Sequence, residues 1–241
     1  MQSNSPKILG VTFDAALLMH SAAREVATEA GWRLQTLLRA RYHFSIPELM
    51  HLYKAQILSY IEGSTPALYH AAASVLERID RVQARFLRQI GVSDVAALVD
   101  YRMAPLPSRR DIAMLGMLHR IVMGKAPGAV CALFPVLGAV PEPLSRQRLR
   151  HWRPKHTKQL HTDVTFGSRD VMQRSLFGLV HLYNRLPQEV VDSNSIRSFQ
   201  GKLQSALKIY AGTGADRWQR LFATEWQLMP ASQLHSLFTS R

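Results

Sequence analysis

The chain is nearly without cysteine: Cys131 is the single one in 241 residues. An intramolecular disulfide and a cysteine-rich zinc site are both excluded. Cys131, within Ala-Val-Cys-Ala-Leu-Phe, reads as a small buried apolar residue. Acidic side chains are scarce, 17 against 30 Lys and Arg, and no two carboxylates are spaced for general acid–base work or for two-metal phosphoryl transfer. A glycine-rich phosphate loop is missing, because Gly212-Thr213-Gly214 has no strand and lysine around it. No nucleophile elbow occurs. His151, His156 and His161 recur every five residues in a loop among cationic neighbours, a spacing that matches no ligand scheme. No metal, no cofactor and no catalysis by this chain alone are therefore expected. The first residues, Met-Gln-Ser-Asn-Ser-Pro, have no apolar core of a signal peptide. The longest uncharged run, Ala126 to Pro141, is broken by prolines and glycines and is too short to cross a membrane.

What the chain has is a positive field. Its formal net charge is +13, with 47% hydrophobic and 20% charged residues. The hydrophobic content suffices for a core. The charge makes a polyanion the expected partner, nucleic acid first and an acidic membrane surface second.

Most of the chain is patterned as helix. The exception is Lys7-Ile8-Leu9-Gly10-Val11-Thr12-Phe13-Asp14, which reads as a strand of residues suited to a half-buried pleated surface. A lone strand cannot satisfy its own backbone, so its partners must lie elsewhere. A helix is expected from about Ala16 to Arg41, with Trp32 among its apolar residues and a possible break at Gly31. Ser45-Ile46-Pro47-Glu48 is a capping box opening an apolar helix through Leu58. Thr65-Pro66 is expected to start a helix that runs to Gln89 and stops at Gly91. Within it Val75, Ile79, Val82, Phe86 and Ile90 recur at helical spacing. Arg78, Arg81, Arg85 and Arg88 form a row on an adjacent stripe. That row is either the solvated face of a core helix or a track for a phosphate backbone. Ser108 is expected to cap a helix that begins Arg109-Arg110-Asp111 and continues, apolar on nearly all sides, to Met123. Its His119 reads as a satisfied core histidine.

Regular structure thins between Lys125 and Phe166. Here lies the most basic stretch, Ser145 to Lys158, with Arg146, Arg148, Arg150, Trp152, Arg153, Lys155 and Lys158 and no acidic residue. It is either a solvated linker or a basic loop whose tryptophan stacks on unpaired bases. Helices resume after Ser168. One ends at Pro187, one is capped by Ser195 and carries Phe199, Leu203, Leu207 and Tyr210, and Trp218, Leu221, Phe222 and Trp226 suggest a last one. The expected fold class is mainly α: an irregular multi-helix bundle with a short N-terminal β-strand or hairpin and a long basic loop in the middle.

Several blocks, in order, resemble the region that follows the catalytic core in reverse transcriptases of non-LTR (LINE-type) retrotransposons. KILGVTFD looks like the strand that closes the palm. LYKAQILSYIEGSTPALYHAAASVLERIDRVQARFLRQIG resembles the thumb helices, and MAPLPSRRDIAMLGMLHRIVMGKAP the helical block after them. FGLVHLYNRLPQEVVDSNSIRSFQGKLQ is similar to a late segment in which an aromatic residue, Asn and Leu-Pro precede a helix carrying Phe. The resemblance spans about Lys7 to Leu207. It implies a remnant palm strand at 1–14, a thumb-like bundle at 15–125, a linker at 126–167 and a C-terminal helical segment at 168–241. It further implies that the strand's partners belong to an upstream palm, and that the metal-binding aspartates of an aromatic-Ala-Asp-Asp turn are not in this chain. The role carried over is sequence-independent grip on RNA or an RNA–DNA hybrid in the nucleus or cytoplasm. Arg78, Arg81, Arg85 and Arg88 are the first candidates, Arg109 and Arg110 the next. A helical protein-binding module and a gene-model fragment without function are the alternatives.

Overall fold

The stretch from Lys7 to Asp14 folds back on itself. A computed structural model describes residues 6–8, 10–137, 156–161, 170–223 and 230–239. Strand β1 (Lys7–Ile8) pairs antiparallel with β2 (Val11–Thr12), Lys7 opposite Thr12 and Ile8 opposite Val11. Gly10 makes the reversal with φ +84°, a conformation that costs residues with a Cβ. The Phe13 N–H donates to the Pro6 carbonyl at 2.9 Å. Of the two expected forms, strand or hairpin, the stretch takes the hairpin, and its two halves pair with each other. Val11 and Phe13 pack, half-buried, against the core that follows, and Ile8 stays exposed.

The chain divides into two compact units, Met1–Arg110 and Asp111–Arg241. In the first, helix α1 (His20–Arg39) starts later than expected. The Asp14 carboxylate accepts from the N–H groups of Leu18 and Met19 at 2.9 and 2.6 Å, and Leu17 and Met19 take left-handed backbone angles. These contacts hold 14–19 as a turn. Gly31 does not interrupt α1, because Val26, Ala30, Leu34, Leu37 and Leu38 continue one buried stripe past it. Trp32, expected among the apolar residues, lies on the opposite side and is 63% exposed.

The capping box forms at α2 (Ile46–Tyr53): the Glu48 carboxylate accepts from the Ser45 N–H at 2.8 Å and from its hydroxyl at 2.7 Å. The helix widens into a π-turn at Lys54–Leu58 before α3 (Ser59–Gly63). Next come α4 (Thr65–Leu68) and α5 (Ala73–Ile90). One helix was expected over this span. It is broken because Ala72 is extended and the His70 ring is drawn 3.0 Å from the Leu17 carbonyl. Thr65 is consequently buried inside α4 and caps nothing. Ser93 caps α6 (Asp94–Tyr101) by accepting from the Ala96 N–H. Helix α7 (Leu106–Val122) starts two residues ahead of the expected Ser108 cap. Pro107 fits its first turn, where a missing N–H costs nothing, and Ser108 is fully buried. The core of this unit joins α1, α2 and α5. At its centre the Tyr53 and Phe86 rings stack 4.2 Å apart.

The second unit takes the later part of α7, so the junction falls within that helix and not near residue 125. It adds α8 (Gly128–Cys131), α9 (Asp170–Gln173), α10 (Leu176–Tyr183), α11 (Gln188–Val191), α12 (Ile196–Gly212) and α13 (Ala231–Thr239). Gly178 is required in α10: an added Cβ would lie 1.8 Å from the Gln173 carbonyl oxygen. Ser195 caps α12 as expected, accepting from the Ser198 N–H at 3.1 Å. The helix expected around Trp218 is only a 3-10 turn, Trp218–Arg220. Trp226 lies outside the described residues, and α13 packs on α12 instead. Cys131, expected buried, is half-buried.

Two parts of the stretch expected as a linker, 126–137 and 156–161, are built into this unit. Leu137 N–H donates to the Gln159 carbonyl at 2.8 Å and His161 N–H to the Pro135 carbonyl at 3.0 Å, around an antiparallel bridge between Val136 and Leu160. The Asn184 side chain grips both backbone groups of Leu160, accepting from its N–H at 2.8 Å and donating to its C=O at 2.9 Å. His119 is fully buried and satisfied. Its Nε2 faces the Ser193 carbonyl at 3.0 Å, and its Nδ1 faces the Tyr183 hydroxyl at 2.9 Å. A carbonyl can only accept, so Nε2 carries the proton and Nδ1 accepts from the tyrosine. The ring stacks on Phe199 at 4.2 Å.

Candidate nucleic-acid interface

Helix α5 separates its residues by polarity. Val75, Ile79, Val82 and Phe86 face inward and are buried, whereas Arg78, Arg81, Arg85 and Arg88 are exposed. At 3.6 residues per turn the four arginines fall within an arc of about 80° and span about 15 Å along the axis. Two carboxylates share the helix. Glu77 pairs with Arg81 at 3.1 Å, and both side chains are more than half exposed, so water screens that pair heavily. Asp80 turns the other way. It is engaged by Arg110 of α7, Nη1 to Oδ1 at 2.6 Å and Nη2 to Oδ2 at 2.9 Å. Removing Asp80 from the solvent face leaves the row strongly positive. Among the described residues no carboxylate pairs with Arg78, Arg85 or Arg88.

The next two candidates do not join this surface. Arg110 is 7% exposed and committed to the two-pronged pair with Asp80. Arg109 donates through Nε to Glu62 at 2.6 Å, with its Nη2 at 2.5 Å from the same oxygen. Both guanidiniums hold α7 to the helices before it. Beside them the Tyr53 hydroxyl is buried without a partner, and burial pushes its pKa well above the usual phenol range. Lys54 bonds to the Tyr101 carbonyl, and burial holds its ammonium below the ordinary lysine value. The difference from Arg78 is one of direction: α7 aims Arg109 and Arg110 at acids, and α5 aims its row at water.

In the second unit Lys158 donates through Nζ to the Val191 carbonyl at 2.8 Å, with Asp192 at 4.0 Å. It anchors the chain and is not a free cation. Arg146, Arg148, Arg150, Trp152, Arg153 and Lys155 lie outside the described residues, as does His151 of the histidine series. His156 is buried, its Nε2 3.1 Å from the Tyr183 carbonyl. Among the described residues no group of His, Cys, Asp and Glu is assembled to hold a metal ion, and no helix is long and apolar enough to cross a membrane.

The structure also brings together cations that the motif reading passed over. A surface groove of about 310 Å³ opens where the C-terminal halves of α1 and α5 meet. Gln35, Leu38, Arg39, Arg41, Arg85 and Gln89 line it. Arg41 lies beyond the end of α1, donates to the Leu38 carbonyl at 3.1 Å and stands 4.3 Å over the ring of Tyr42. Tyr42 is 81% exposed. A partial signal existed in the sequence: Trp32, Gln35 and Arg39 are spaced by three and four and share one face of α1. Comparison of the chain with known protein families, with characterised proteins and with solved structures finds no match.

Proposed function

We propose that the chain is a non-catalytic, nucleic-acid-gripping part of a non-LTR retrotransposon reverse transcriptase, its thumb and post-thumb region, and that it binds RNA or an RNA–DNA hybrid without regard to sequence. The observation that carries this is the row Arg78, Arg81, Arg85 and Arg88, exposed along one side of α5 with Asp80 withdrawn by Arg110. Guanidiniums in a row contact phosphates, which fix a protein on a helix but carry no base information. The net charge of +13 supplies long-range attraction. The resemblance of the sequence blocks supplies the family and the choice of RNA and hybrid. Protein-binding and functionless alternatives have no comparable feature in their favour.

The test is titration of the purified chain into a labelled RNA–DNA hybrid across a salt series. About four phosphate contacts give a loss of roughly a hundredfold in affinity between about 50 and 200 mM salt. Replacing the four arginines by glutamine weakens binding to all sequences alike and flattens the salt slope by about one per arginine. No binding at low salt, or binding indifferent to salt, contradicts the proposal.

A further inference from the structure

We infer that the groove between α1 and α5 is a site for single-stranded nucleic acid, with a backbone phosphate held among Arg39, Arg41 and Arg85 and a base stacked on Tyr42. This deepens the nucleic-acid reading above and rests on it for the class of ligand.

Three arginines line one cavity, and none of its lining residues is acidic. Like charges around one cavity repel one another, and an anion entering it relieves that repulsion. Compensation of negative helix ends explains a cation at the end of α1, where Arg39 sits in the last turn. It does not explain why Arg85, a turn before the end of α5, faces the same space. Gln35 and Gln89 on the walls add amide donors and acceptors suited to phosphate and sugar.

The second feature is aromatic. Tyr42 projects from the 3-10 turn that follows α1. Its hydroxyl accepts from Arg41 Nη2 at 2.5 Å, and the same guanidinium lies over its ring. The ring thus lies beneath a guanidinium whose residue lines the groove, and it is still 81% exposed. An exposed aromatic next to a cationic groove is the arrangement on which unpaired bases stack without sequence preference. A duplex cannot use it, because its bases are already stacked. Trp32, 63% exposed on the face of α1 that carries Gln35 and Arg39, extends the line along which a strand would run. Arg85 belongs both to the row on α5 and to this groove, so the single-strand site is continuous with the duplex track.

The experiment measures binding of a labelled short oligouridylate and a labelled RNA–DNA hybrid by fluorescence anisotropy at low salt, with the full chain. Tyr42→Ala is expected to weaken oligouridylate binding about tenfold or more and to leave the hybrid within about twofold. Tyr42→Phe retains the ring and restores single-strand affinity. Arg39→Gln weakens oligouridylate binding and lowers its salt slope by about 0.7. Tyr42 is too exposed for its loss to unfold the chain, and unchanged thermal melting by circular dichroism checks this. The inference is overturned if Tyr42→Ala changes neither ligand or both equally. Polyglutamate competing as well as oligouridylate would also overturn it, since that marks a site for acidic protein. If the hybrid fails to bind while oligouridylate binds through Tyr42, the duplex track on α5 falls and the groove stands. Failure of both ligands to bind removes both.

Discussion

The two units of the chain differ in the long-range polar contacts at their centres. The first encloses an ion pair, Arg110 with Asp80, and holds a more exposed one, Arg109 with Glu62. The second buries neutral hydrogen-bonding groups: His119 between Tyr183 and Ser193, His156 against the Tyr183 carbonyl, Asn184 around Leu160. A buried ion pair tolerates poorly the loss of one partner, because the other charge is stranded. A neutral network loses only the bonds removed, but it is open to attack by protons. The units should therefore fail under different provocations, and the difference bears on function. Turning Asp80 into the first unit removes one of the two carboxylates of α5 from its outer side and leaves Glu77 beside Arg81.

The largest effect is expected from Arg110→Ala. It leaves Asp80 without its cation in a site where the arginine is nearly inaccessible, at a cost of about 3–5 kcal/mol. Urea denaturation read by amide hydrogen exchange should place the loss in the first unit. Leucine at both positions should recover much of it, because well-packed apolar replacements of buried pairs are often neutral. Recovery by the single Asp80→Asn change instead would show that hydrogen bonding and not charge holds the pair. In the second unit Asn184→Ala strips both backbone groups of Leu160, which is 1% exposed, of their partners. The expected cost is about 2 kcal/mol, with protection lost first across 156–161. An unchanged exchange pattern there would mean that water replaces the amide.

The mildest provocation is acid. Burial holds the imidazoles of His119 and His156 below the ordinary value of 6.5. The unfolded chain therefore binds protons more readily than the folded one. The stability these groups support is complete above about pH 6.5 and is lost as pH falls from there through the lowered folded values. Lys125, Lys158 and Lys202 oppose protonation of His119 further. Unfolding of the second unit should thus become easier between neutrality and mild acid. His119→Phe, which keeps the stack on Phe199, should reduce this slope. A first unit that loosens over the same interval would erase the distinction.

How much of this could be read from the chain depends on reach. The Ser45–Glu48 box, the Ser195 cap and the stop at Gly91 stood where local chemistry put them, because partners three or four residues apart meet in any helix. The inward stripe of α5 followed from its period for the same reason. One error arose where a distant group intervened, His70 reaching Leu17 and breaking the span before α5; another was local, Asp14 holding the N–H groups of Leu18 and Met19 and delaying α1. The candidate site divided on the same line. Arg78 and Arg110 carry the same signal in the sequence, yet one faces solvent and the other a carboxylate thirty residues away. The groove at Arg39, Arg41 and Arg85 joins positions that no spacing rule connects.

Composition and periodicity alone determined that this protein is mainly helical and strongly cationic, and that α5 has an apolar side and a basic side, since these follow from side-chain types repeated at the pitch of one helix. Which cations are free to meet an anion was decided only when the helices packed. Pairing across tens of residues depends on which faces are brought within a few ångströms, and that distance exists only in the folded chain.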